Sequence, residues 1–213
     1  MSKNRGKSEY VIGLDEVGRG PLAGRVFVGA FALPVRWRQR GLLTDAPARL
    51  ADSKRLTPRQ REAWFEWICR REFVWHVTSV SPSVIDRINV SQAANRAAGR
   101  ALERLLKHFR QQRVRVIADG TLHVRNVSRE IPFENHVRAD ERFAAVSLAS
   151  IVAKVKRDRH MTRIARRYPQ YGFETHKGYG TKKHYAALAR HGPCEIHRLT
   201  FVGGKHKLKT SKS

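Results

Sequence analysis

Apolar residues follow two rhythms along this chain. Short unbroken runs, suited to buried strands, cover residues 10–14, 25–33, 73–80 and 114–118, and a fifth strand is expected near 136–138. Helical spacing marks the remainder. Thr57 reads as an N-cap, with Pro58 at the first helical position and Gln60 three residues past the cap, opening a helix to about residue 70. A longer helix over 91–109 carries Ala94, Ala98, Ala101, Leu102 and Leu105 on one stripe. Two more are predicted over 144–168 and 182–190, the second stopped by Gly192-Pro193. Three strands, helices, a strand and more helix make an α/β layer with a mixed sheet.

Length bounds the organisation. The chain has 213 residues, 41% of them hydrophobic, enough for one core and too few for several. Residues 1–8 are expected to be loose. The last stretch, 203–213, follows a Gly-Gly break and is lysine-rich, so a disordered basic tail is expected there. That leaves 9–202 as one domain. No run reaches the roughly 20 apolar residues of a membrane span, and the N-terminus lacks the apolar stretch of a secretory signal. Cys69 and Cys194 stand far apart without metal-like spacing, which excludes a disulfide framework or zinc ribbon and points to a reducing, cytoplasmic home.

Charge narrows the function. Lys and Arg number 43 against 18 Asp and Glu, a formal charge of +25. Such an excess fits a polyanion partner, nucleic acid before membrane. Against that background each acid in an apolar setting stands out. Asp15 and Glu16 follow the first strand directly, and Asp119 ends the fourth, before Gly120. Adjacent acids within a regular strand point to opposite faces, so Asp15 and Glu16 can share a site only where the strand ends. Loop caps and an Asp-Gly turn account for each acid taken singly. Together, carboxylates at two strand ends of a basic protein suit Mg²⁺ or Mn²⁺. Two such ions about 4 Å apart would clamp both reacting oxygens of a phosphodiester, which is nuclease chemistry. Gly18 and Gly20 let the main chain approach a sugar or phosphate. Tyr179 projects between two glycines, where stacking and packing remain open alternatives.

At this point the chain resembles a family. YVIGLDEVGRGPLAG at residues 10–24 closely resembles the opening motif of bacterial ribonuclease HII. Asp52-Ser53-Lys54-Arg55-Leu56-Thr57, Ala118-Asp119-Gly120, Asp140 with the helix that follows, His176-Lys177-Gly178-Tyr179-Gly180-Thr181 and His197-Arg198-Leu199-Thr200-Phe201 are similar to its later motifs, in order. The resemblance implies a ribonuclease H-like fold, a mixed five-stranded sheet flanked by helices, with a helical C-terminal part. It implies an endoribonuclease that cuts the RNA strand of RNA–DNA hybrids, and cuts on the 5′ side of single ribonucleotides in duplex DNA, leaving 3′-hydroxyl and 5′-phosphate ends. Asp15, Glu16, Asp119 and Asp140 match the metal-binding acids, for two Mn²⁺ or Mg²⁺ ions. Gly18, Arg19 and Gly20 match the loop that senses the 2′-hydroxyl, Tyr179 the ring that stacks on the neighbouring sugar, and Lys54, Ser150 and Lys154 contacts to phosphate. The family usually has Gly where this chain has Ala139, and Glu141 offers an alternative fourth acid.

The natural role implied is ribonucleotide excision during replication by a monomer away from membranes, with room for a replication partner on the tail. Two rivals stand beside it: a nuclease on the same fold acting on DNA alone, and a non-catalytic basic nucleic-acid binder. Outside these motifs the readings are plainer. Asp158 is expected to pair with Lys154 or a neighbouring arginine, His184 to face solvent on its helix, and Trp64 and Trp67 to lie in the core.

Overall fold

The computed structural model describes residues 9–38, 41, 43–50, 53, 55–124, 127–128 and 130–203. Asp52, Lys54 and the expected loose ends at 1–8 and 204–213 lie outside the described residues. In chain order the elements are β1 (Tyr10–Val17), β2 (Val26–Pro34), α1 (Pro58–Cys69), β3 (Trp75–Val80), α2 (Pro82–Ile88), α3 (Val90–Leu106), β4 (Val114–Asp119), β5 (Phe133–His136), α4 (Ala139–Arg142), α5 (Ala144–Ala165), α6 (Phe173–His176), α7 (Lys182–His191) and α8 (Leu199–Val202). The five strands form one sheet in the order β3-β2-β1-β4-β5. The first three run antiparallel to their neighbours, while β1–β4 and β4–β5 are parallel. The expected mixed five-stranded sheet is therefore present, with β5 a few residues earlier than its pattern indicated.

Alternation sorts the sheet into two cores. Ile12 and Leu14 of β1, with Val116 and Ala118 of β4, pack on the alanine stripe of α3. Small side chains let that helix lie close enough for Thr78 to donate to the Ala97 carbonyl at 2.6 Å. On the opposite face α1 and α5 cover Phe31 and Leu33, and Trp64 and Trp67 lie in this layer as expected. The capping box predicted for α1 is present, since Thr57 and Gln60 bond each other's main chain. α2 escaped prediction because its seven residues are too few to display a helical period.

Contact between α5 and the sheet is main chain to main chain. A Cβ on Gly13 would meet the carbonyl carbon of Ala145 at 2.2 Å, and one on Gly29 would meet the Ala149 oxygen at 2.2 Å. Gly29 is the cross-strand partner of Asp15. These two glycines thus set the depth at which α5, and Ser150 upon it, reaches Asp15. Gly29→Ala should cost about 2 kcal/mol as the helix is pushed off the sheet. Urea unfolding reads this directly, and an unchanged midpoint would show that the helix has room to give.

A third cluster, built from Leu22, Ala23, Met161, Phe173, Leu188 and Val202, packs the last third of the chain onto the loop after β1. Among the described residues no helix is long and apolar enough to cross a membrane.

Candidate metal centre and substrate loop

β1 runs through Val17, three residues past its expected end, so Asp15 and Glu16 lie inside the strand. They meet the site because the pairing with β4 stops earlier, at Leu14 and Ala118. Beyond that rung β1 is paired on one side only. Asp15 continues the Gly13 face toward α5, and Glu16 continues the Leu14 face toward the start of α3. The adjacent acids do point apart, and the open flank of the strand gives both access to the same end of the sheet.

Each carboxylate is held by a different device. Asp15 is 5% exposed. The Ser150 hydroxyl bonds it, and Ser53 lies 2.7 Å behind Ser150, so with Asp15 ionised the donors run Ser53 to Ser150 to carboxylate. Burial pushes the Asp15 proton affinity well above the ordinary carboxylate range against that bond, and Glu16, Asp119 and Asp140 push it the same way. Glu16 is likewise raised, chiefly by burial, opposed by its 3.1 Å ion pair with Arg19. Asp119 ends β4 on the Asp15 side of the sheet and accepts the Ala139 amide at 2.6 Å, which ties β4 to α4. Asp140, on the next residue, is 4% exposed and feels Asp15, and its carbonyl accepts from Ser147. Glu141 turns outward, 3.8 Å from Arg55. Of the two acids that compete for the fourth position, it is Asp140 that the fold brings to the cluster.

The donor set fits divalent cations. Four carboxylates gather at one sheet end in a chain of charge +25, and Glu16 Oε2 is buried without a protein partner. A hard cation is the ligand that oxygen donors of this kind accept most readily. Among the described residues no three His, Cys, Asp or Glu side chains close into a ready-made metal cage. Donor chemistry and the mutual repulsion of the four acids are what suit the cluster to a metal.

The loop from Gly18 to Gly24 forms the rim. Gly18 has φ +92°, and a Cβ there would strike Arg157 Nε at 2.2 Å, whereas a Cβ on Gly20 would meet nothing within 4 Å. Arg19 turns its side chain inward, donating to Glu16, to Thr121 at 3.2 Å and to Ser91 at 2.9 Å. Gly18 is thus buried, and the loop exposes its main chain at Gly20. From below it is pinned by Arg198, 0% exposed, which donates to the carbonyls of Gly18 (2.6 Å), Arg19 (2.7 Å) and Gly24 (3.0 Å). Arg157, equally buried, donates to Lys177 O at 3.0 Å and lies 5.6 Å from the Tyr179 ring centroid. Burial lowers both guanidinium pKa values, that of Arg198 to about 9. Tyr179 itself is 41% exposed on the rim.

Several expectations change in detail. Ser150, assigned to phosphate by resemblance, is buried behind Asp15 and positions that carboxylate. Lys154 is half-buried, bonded to Asp158 at 2.7 Å as expected for the helical pair. Lys54 lies outside the described residues. His184 is buried rather than solvent-facing, because α7 turns its first-turn side chains back onto the Gly178-Tyr179 segment. The parts missed altogether are Arg157 and Arg198. Their signal was weak but present: an arginine on the apolar face of a helix, and an arginine in an ordered motif with no acid beside it.

The acid cluster stands at one end of the sheet. A cavity of about 710 Å³ lies apart from it, between β2, β3 and the second half of α5, lined by Arg25, His76, Lys156, Arg159 and Arg163.

Comparison with known proteins gives the family and the fold. The family model described as Ribonuclease HII matches residues 12–203. A ribonuclease HII of Caldicellulosiruptor bescii is 39% identical over 195 residues, covering 91% of this chain and 86% of that protein. One of Polynucleobacter necessarius is 40% identical over 206 residues, covering 96% and 98%. Among solved structures, the ribonuclease H2 of Pyrococcus horikoshii OT3 superposes with a TM-score of 0.69 at 26% identity over 90% of this chain and 93% of that one. The Mn²⁺ complex of Bst-RNase HIII, at 20% identity, shares the fold with a TM-score of 0.74 over 93% and 68%. An acid cluster at the parallel end of a mixed sheet and a glycine rim over buried arginines thus occur in a chain that belongs to the ribonuclease HII family.

Proposed function

We propose that this endoribonuclease cuts the RNA strand of RNA–DNA hybrids, and cuts 5′ of single ribonucleotides in duplex DNA, with Asp15, Glu16, Asp119 and Asp140 holding two divalent cations. The observation that carries the reading is the convergence of four carboxylates beside a main-chain rim that ends in Tyr179. When bound, the cations supply Lewis-acid stabilisation of the attacking and leaving oxygens. Everything else is the protein's own work. Ser150 and Ser53 aim Asp15. Arg19 aims Glu16 and neutralises part of its charge. The Ala139 amide fixes Asp119, and through α4 sets Asp140 beside it.

With the Gly18 and Arg19 carbonyls taken up by Arg198, the exposed main chain at Gly20 is what suits the loop to reading a 2′-hydroxyl, because no side chain blocks the approach there. Tyr179 offers a ring face to the neighbouring sugar. Lys154 and the surrounding basic surface suit the phosphate backbone. Mn²⁺ or Mg²⁺ meets the oxygen donor set equally.

The test is a labelled DNA duplex with one ribonucleotide, incubated with Mg²⁺ or Mn²⁺ beside an all-DNA duplex and an EDTA control. A metal-dependent cut on the 5′ side of the ribonucleotide, absent from the all-DNA duplex, is expected. Tight binding without a cut in either metal would remove the catalytic assignment of these acids.

A further inference from the structure

A line of hydrogen bonds runs beneath the rim, and its direction is set by chemistry. The Cys194 amide donates to His197 Nδ1 at 2.9 Å. A neutral imidazole with Nδ1 accepting carries its proton on Nε2, which faces His184 Nε2 at 3.0 Å. His184 Nε2 must therefore accept, which puts its proton on Nδ1, and Nδ1 lies 2.9 Å from the Tyr179 carbonyl, a group that can only accept. The three bonds are consistent with one arrangement of protons. A second proton on His184 would force His197 into its other tautomer, with Nδ1 turned from accepting the Cys194 amide to donating toward the Cys194 carbonyl at 3.3 Å.

The surroundings keep that arrangement in place. Both rings are buried, and burial lowers their pKa values, that of His197 to about 4. His176 stacks on His184 at 4.5 Å, accepts the Gly178 amide at 3.2 Å and donates to Tyr171 O at 2.7 Å. Tyr171, Phe173 and Cys194 close the remaining sides. The segment carrying Tyr179 is thus held at the Gly178 amide by His176 and at the Tyr179 carbonyl by His184.

We propose that His184 and His197 are positioning residues for Tyr179, fixing the tilt of its ring and so the enzyme's preference for an RNA–DNA junction over a continuous RNA strand. The proposal rests on reading Tyr179 as the sugar-stacking residue. Neither imidazole touches substrate. They act through the peptide that bears the ring, whose carbonyl accepts from His184.

The experiment compares kcat/KM on a duplex with one embedded ribonucleotide and on a continuous RNA–DNA hybrid at neutral pH, with melting temperature beside it. His197→Phe keeps ring size and removes both nitrogens. It should lower the junction-to-hybrid ratio about tenfold, mainly through KM on the junction substrate, as expected for a displaced contact group. His197→Gln, whose amide still donates toward His184, should restore most of the ratio. His184→Phe, which removes the donor to the Tyr179 carbonyl, should lower the ratio likewise and carries the test if His197→Phe does not fold, whereas His184→Asn, whose amide still reaches that carbonyl, should keep it. Equal losses on both substrates that track the melting temperature would overturn the proposal, because a merely structural role acts on both alike. Tyr179→Ala separates the two layers. A ratio unchanged in that variant removes the reading of Tyr179 itself. A ratio lowered there but intact in His197→Phe removes only the histidine relay.

Discussion

Asp119→Asn should lose about three orders of magnitude in turnover, because on the proposed function Asp119 would help hold the divalent cations, whose transition-state stabilisation is worth several kcal/mol, and each tenfold is 1.36 kcal/mol. The substitution is unusually clean. Asn keeps the oxygen that accepts the Ala139 amide, so β4 and α4 stay joined, while the negative charge disappears. Hybrid binding, followed by fluorescence anisotropy in EDTA, should hold or tighten, since a repulsive charge leaves a groove that binds phosphates. Near-normal cleavage would show that Asp119 serves only as a tie between strand and helix.

Asp15→Asn separates function from stability in the same site. Asp15 is buried among three other acids, so its charge opposes folding, and the role proposed for it is catalytic. Removing it should abolish cleavage yet raise the stability of the metal-free protein by about 1 kcal/mol, or some 2–4 °C in melting temperature for a chain of this size. The pH dependence has a definite sign. A carboxyl whose folded pKa is raised binds its proton more readily when folded, so the parent regains stability as pH falls from neutral toward the ordinary value of 3.8. The advantage of Asp15→Asn should be largest at neutral pH and above, and should shrink on acidification. A constant difference across that range would mean the gain has a source other than the charge.

Arg198→Ala should cost about 4 kcal/mol. The guanidinium satisfies three loop carbonyls at once, bonds to a charged donor contribute roughly 1.5–3 kcal/mol each, and their loss is only partly offset by the end of a buried charge. Melting should fall by about 8–16 °C at the 2–4 °C per kcal/mol typical of this length. Arg198→Lys, one donor group in place of a planar fork, should fall between the parent and Ala. Junction cleavage in both variants should drop further than the remaining folded fraction explains, because the three carbonyls belong to the rim facing substrate. A melting temperature within about 2 °C of the parent would mean that water replaces the guanidinium without strain.

Short-range order was legible. Thr57, Pro58 and Gln60 announce α1 because a cap is a contact between residues three apart, and the alanine stripe announces the buried face of α3. The acids at residues 15, 16 and 119 stood out by charge against the rest of the chain. What was hidden depends on distant partners. The strand boundary at Asp15 was misplaced because β1 continues on β2 after leaving β4, and nothing near Asp15 reveals which neighbour stops first. Glu141 and Asp140 are equivalent in composition, and only the turn of α4 separates the buried acid from the exposed one. His184 read as a surface residue because what covers it comes from segments on both sides of α7. Arg198 reaches a glycine 180 positions earlier, a separation that no local pattern encodes.

That separation has a consequence for how the enzyme comes into being. All four carboxylates are synthesised well before Arg198 leaves the ribosome. A growing chain can pair its five strands and gather its acids while the loop at Gly18 still lacks the guanidinium that shapes it. The rim around Gly18 therefore takes its final shape only when the last stretch has docked.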